Sequence, residues 1–144
     1  MNTAEKSGSA AGAGRFHAAH ERRRHLITAN NPRRGLDYLV CLDGRLSLDL
    51  FDRPVSLHLR FVPDDRILAP AEFAAYINAL PRLANVGLED LAQTVLGDVN
   101  SELVPRWAAV VARGAAAGIV QCVVIEDRQP RWDNPTVLAR LPLR

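Results

Sequence analysis

Between Val55 and Phe61 the chain reads VSLHLRF, with Val55, Leu57, Leu59 and Phe61 alternating with Ser56, His58 and Arg60. A period of two is the mark of a β-strand with one face on a core and the other wet or lining a site. Two apolar-rich runs precede it, LDYLVCL and RLSLDLF, separated by Asp43-Gly44. Asp-Gly readily supplies the positive φ angles of a two-residue hairpin, so the spacing predicts a hairpin there. A second turn follows at Asp52, Arg53 and Pro54.

The period then changes. From Pro70 onward, Phe73, Ile77 and Leu80 share one helical face, Pro70 suits a first helical position, and Pro81 stops the run. In GLEDLAQTVLGDVNSELVP, Leu88, Leu91, Val95, Val99 and Leu103 fall at spacings of three and four. That stripe predicts a second helix packed on a sheet, with Glu89 and Asp90 in its first turn, where acids complement the helix dipole. The segment RWAAVVARGAAAGIVQCVVIED predicts two strands joined around Gly114 to Gly118. The order is ββααββ with one more strand in front.

Composition bounds the chain to one domain. Its 144 residues, 48% hydrophobic and 24% charged, are enough to bury a core. The net charge of +2 is unevenly spread: residues 1–35 carry seven Lys or Arg against two acids, residues 36–144 eleven against fourteen. A folded part that is mildly acidic does not favour tracking nucleic-acid phosphates. Residues 1–25 are expected to form a flexible basic arm and residues 26–144 a single domain. The arm's His17, His20 and His25 lie among arginines whose charge opposes a bound cation, so no metal site is expected. No apolar stretch approaches the roughly 20 residues of a membrane span. Cys41 and Cys122 lack metal spacing and sit in strand-like runs, which predicts buried thiols in a reducing cytoplasm.

The segments NNPRRGLDYLV, LHLRFVPDDRILAPAEFAAYINAL and LEDLAQTVLGDVNSELVPRW, in that order, resemble the 7-cyano-7-deazaguanine reductases. These QueF-like nitrile reductases belong to the tunnelling-fold (T-fold) superfamily. The likeness runs from about Asn30 to Trp107. It implies an α+β T-fold, an antiparallel sheet with two helices on one face, and association of copies into a homo-oligomer with interfacial ligand sites. It also implies a nucleophilic Cys in a loop like C-P-x-T-G-Q-P-D-F, which the segment CLDGRLSLDLFDRP lacks. Cys41 directly follows the DYLV run and does not match that position. The family's V-E-S-K-S positions fall at Leu68 to Glu72 and read LAPAE; its H-E pair falls at Leu88 and Glu89, with the histidine gone; its R-G-G-I is echoed only loosely by ARGAAAGI. Without a positioned thiolate the covalent step of nitrile reduction has no attacking atom.

Glu89 survives from that pattern. T-fold proteins that bind purine-like or pterin-like rings commonly anchor adjacent ring N–H and amine donors on such a group, and an ionised carboxylate can accept both. The plainer reading is favourable electrostatics at a helix start. A second candidate is EDRQPRWDNP, Glu126 to Pro135, at a strand exit. There Arg128 could grip a carboxylate or phosphate, Trp132 could stack on a flat ring, and Asp133 could move a proton. Alternatively Asp133 or Asn134 caps a turn, Arg128 pairs with a neighbouring acid, and Trp132 plugs the core edge. His58, on the polar face of its strand, is a third candidate, as a general base. Asp64 and Asp65 read as a structural corner.

The expected function is binding of a small planar heterocycle or similar metabolite, followed by a non-reductive step such as cyclisation, isomerisation or addition. Glu89, His58 and Asp133 are the candidate catalytic groups, and Glu89, Arg128 and Trp132 the candidate substrate contacts. The alternatives are a catalytically inactive partner subunit and a retained reductase using Cys41 or Cys122. No cofactor is expected unless reductase activity is retained, in which case NADPH would bind. A small-molecule substrate is the expected partner, with neither nucleic acid nor membrane.

Overall fold

A computed structural model describes residues 19–80 and 86–141. The alternating segment forms β3 (Val55–Val62), the centre of a four-stranded antiparallel sheet with β2 (Val40–Leu46), β5 (Trp107–Ala116) and β6 (Ile119–Arg128) in the order β2-β3-β5-β6. The first face of this sheet carries Leu57, Leu59 and Phe61 from β3 beside Ala108, Val110 and Ala112 from β5, all fully buried. Helix α2 (Pro70–Ala79) packs on that face beside β2, and α3 (Leu88–Leu103) lies across β5 and β6. The stripe Leu88, Leu91, Val95, Val99 and Leu103 is buried throughout. Burial of each such side chain is worth about 1.5–3 kcal/mol of transfer free energy, which fixes the helix against the sheet.

Pro70 takes the first turn of α2, with Phe73, Ile77 and Leu80 buried beneath it. Pro81 lies outside the described residues. The ββααββ core follows the predicted order, but LDYLVCL and RLSLDLF contribute one strand, β2, where two were expected; the two helices lie on one face as the resemblance implies. Two short strands that the periodicity does not predict, β1 (Thr28–Asn30) and β4 (Arg66–Leu68), pair in a ladder of their own. At the corner between β3 and β4, Asn31 donates through its main-chain N–H to the Asp65 carbonyl (2.8 Å) and through Nδ2 to the Asp64 carbonyl (2.7 Å). A last short helix, α4 (Pro135–Leu138), is capped by the Asn134 side chain, which accepts from the Val137 N–H.

Three expectations need correction. Asp43-Gly44 is not a turn: it lies inside β2, where Asp43 pairs with His58 and Gly44 with Leu57. Gly44 serves there by lacking a Cβ, since one would run into the Ile77 side chain of α2. The two-residue hairpin is Ala117-Gly118, between β5 and β6, with φ of 54° and 78°. Secondly, both cysteines are exposed, because the strand alternation turns Cys41 and Cys122 to the second face of the sheet, away from α2 and α3. Thirdly, the last residues of the expected arm take up structure, while residues 1–18 lie outside the described residues. A turn of helix, α1 (Ala19–Arg23), docks on α2 and α3.

Candidate functional site

The second face of the sheet carries the polar half of each alternation. In register across it run Cys41, Arg60, Ala109 and Glu126; then Asp43, His58, Val111 and Val124; then Arg45, Ser56, Arg113 and Cys122. Asp43 ties the first two rows together. Its Oδ1 accepts from Arg60 Nη1 at 2.6 Å and lies 2.8 Å from His58 Nδ1. Partial burial would raise the Asp43 pKa, but the hydrogen bonds and positive charge of Arg60 and His58 outweigh it and hold the carboxyl below its ordinary value. With Nδ1 committed to Asp43, the imidazole is fixed in orientation and its Nε2 is the nitrogen left for a ligand. An open cavity of about 400 Å³ lies alongside, lined by Asp43, Arg45, Ser56, His58 and Arg113. It continues into a groove bordered by Arg53, Pro54 and Val120.

Glu89 stands on the other side of the sheet, in the first turn of α3. It is exposed, and its Oε2 accepts from Gln121 Nε2 of β6 at 2.9 Å. Gln121 holds the carboxylate over the edge strand. Glu89 and His58 therefore lie on opposite faces within one chain. Among the described residues β6 has no neighbouring strand on its outer edge, and Ile119, Val120 and Val124 on it are 67%, 76% and 64% exposed. Cys122 follows Gln121 but points to the second face, and Cys41 is on the opposite edge strand, so neither thiol adjoins Glu89.

The polar density of Glu126 to Pro135 is spent internally. Arg128 donates to Glu126 (3.3 Å) and Asp133 (3.4 Å), and Glu126 also accepts from the indole of buried Trp107 at 2.6 Å. Trp132 Nε1 and Asn134 Nδ2 both donate to Asp37 Oδ2, at 3.1 and 2.9 Å, while Arg106 donates to Asp37 Oδ1 at 2.9 Å. Burial opposes ionisation of Asp37, yet these donors and the Arg106 charge hold its pKa below the ordinary value. Trp132 packs with Leu138 and Leu141 against Val62, Trp107 and Val137, a small cluster that closes this end of the second face. Arg128, Trp132 and Asp133 are thus brought together with one another, and away from both Glu89 and His58.

Sequence reasoning missed four side chains that the register brings to the cavity. The spacing puts Asp43 in a turn with Arg45 beside it and Ser56 on a face that is wet or lines a site, and it assigns Arg113 no role. The signal existed in the alternation of CLDGRL, which the Asp-Gly pair masked. It also missed Asp98, which is fully buried in α3 and binds Arg22 (2.8 and 2.9 Å), Arg23 (2.8 Å) and the Tyr76 hydroxyl (2.6 Å). Burial pushes the Tyr76 phenol well above its ordinary pKa, and the adjacent Asp98 charge adds to this. Among the described residues no group of three or more His, Cys, Asp or Glu could hold a metal ion. None of their helices is long and apolar enough to cross a membrane.

This arrangement, a four-stranded antiparallel sheet with two helices inserted between its hairpins on one face, is that of a tunnelling-fold protein. The chain matches the solved structure of the archaeosine synthase QueF-Like in its apo form with a TM-score of 0.53 and 22% identity, over 61% of this chain and 91% of the other. It is 29% identical to the NADPH-dependent 7-cyano-7-deazaguanine reductases of two strains of Acidithiobacillus ferrooxidans over 125 residues, 83% of this chain and 88% of theirs. No protein-family model matches it. The chain thus has the fold of the QueF-Like structure and is similar in sequence to the 7-cyano-7-deazaguanine reductases.

Proposed function

We propose that this protein binds a small planar heterocycle in a cleft completed by a second copy, and acts on it by acid-base chemistry without a thiolate. The observation that carries the reading is the Glu89 carboxylate, poised by Gln121 at the open edge of β6 beside exposed Ile119 and Val120. A planar acceptor at that edge suits adjacent ring donors, and a neighbouring copy packed along β6 would exclude water from them. His58, oriented by Asp43, is the acid-base group of the proposal. Because it faces away from Glu89 in its own chain, the two serve one ligand only when a second copy contributes one of them. Cys41 and Cys122 take no part.

The nitrile reductase relatives suggest 7-cyano-7-deazaguanine as the probe. Calorimetric titration should detect binding to an oligomer, with no NADPH consumed when both compounds are supplied. Glu89→Ala should weaken binding by about 10- to 100-fold, the worth of a hydrogen bond to a charged acceptor. Unchanged affinity in an intact oligomer would remove Glu89 from the site. NADPH oxidation would restore the reductase reading.

A further inference from the structure

We propose that the second face of the sheet holds an anion site, in which Arg45 and Arg113 clamp the phosphate group of a small-molecule ligand over Ser56. It uses the cavity that His58 enters and adds the ligand's charge to the reading above. It does not depend on Glu89, because a bare phosphate has no ring to anchor.

Register sets the geometry. Arg45 of β2 and Arg113 of β5 each pair with Ser56 of β3, one from either side. Their backbones are thus two inter-strand spacings apart, about 10 Å. Both side chains leave the same face of the sheet and line the same cavity of about 400 Å³. Ser56 lies between them with its hydroxyl able to donate to an oxygen held above it. Arg53 extends the positive border along the adjoining groove.

The charges suit an anion. Among the described residues Arg45, Arg53 and Arg113 have no carboxylate or hydrogen-bond partner. Arg113 Nε is buried without any acceptor, a condition that buried N–H groups rarely tolerate. The carboxylate in the cavity, Asp43, is held by Arg60 and His58. Two guanidinium groups lining one cavity with a hydroxyl offer forked donors that match a tetrahedral dianion. A planar carboxylate would use one fork and leave the other unmatched. The cavity volume falls within the range of small-molecule sites, which suits a phosphate monoester.

The test uses the full chain. Inorganic phosphate and guanosine 5′-monophosphate are titrated separately, following the Arg Nε–H resonances by NMR and the heat by calorimetry. Phosphate should shift the Arg113 Nε–H resonance, and Arg113→Gln and Arg45→Gln should each weaken binding at least about tenfold. Tighter binding of the nucleotide than of phosphate would assign an ester-borne group, and equal binding a free phosphate. Arg45→Gln guards against a folding defect, since Arg45 is exposed. Glu89→Ala should leave phosphate affinity unchanged. Absence of binding at tens of millimolar phosphate, or affinity unaltered in the folded Arg45→Gln protein, overturns the proposal.

Discussion

The two ends of the sheet's second face are both rich in arginine, and they differ in what the arginines face. At the Trp107 end, Arg106 is shared by Asp37 and Asp64, and Arg128 by Glu126 and Asp133, beneath a lid formed by Trp132 and α4. At the Ser56 end, Arg45, Arg53 and Arg113 border an open groove with no carboxylate partner of their own among the described residues. Crowding of polar residues is therefore a poor guide to a site. A saturated network has spent its bonding capacity on the fold. Unmatched donors that line a cavity still have theirs to offer a ligand.

Substitutions can break this contrast, and the largest effect is expected away from both ends, where saturation is most complete. Asp98→Ala strips Arg22, Arg23 and buried Tyr76 of their common acceptor. It should cost about 3–5 kcal/mol in urea denaturation and release α1, read as faster amide exchange over residues 19–25. A loss under 1 kcal/mol would show that α1 is not latched there. At the saturated end of the sheet, Asp37→Asn should cost about 1.5–3 kcal/mol at pH 7 and leave phosphate binding intact.

The acid limb sharpens the same point. The folded pKa of Asp37 lies below its unfolded value, so its stabilisation is complete above the unfolded value, about 3.9. It is lost as pH falls through the folded pKa, and the gap between wild type and Asp37→Asn should close there. A gap independent of pH down to 2 would assign the loss to packing. The smallest effect is at the open end. Arg45→Gln should raise stability by about 0.3 kcal/mol in phosphate-free buffer, by removing a cation from its like-charged surroundings. A comparable loss instead would mean that Arg45 has an acceptor in the fold.

Periodicity made much of this molecule legible. The five-residue stripe of α3, the buried alternation of β3 and the start of α2 at Pro70 each follow from spacing. In each case the hydrophobic face must be hidden whatever it packs against. Glu89 was legible as a position, through the family resemblance, and Gln121 as its partner was not. The Asp-Gly signal failed because a local turn preference worth little was overridden by seven residues of pairing with β3 and by the need for a Cβ-free position under Ile77. That one misplacement hid the register that aligns Arg45 with Ser56 and Arg113.

The sequence by itself determined the element order and the faces that become the core, since these depend on residue types and their periods along the chain. Tertiary structure alone decided which charges are spent and which are left over. Arg22 meets Asp98 across 76 residues and Trp132 meets Asp37 across 95. Such partners are chosen by strand register and helix docking, and no local pattern encodes which distant carboxylate will arrive beside a given guanidinium.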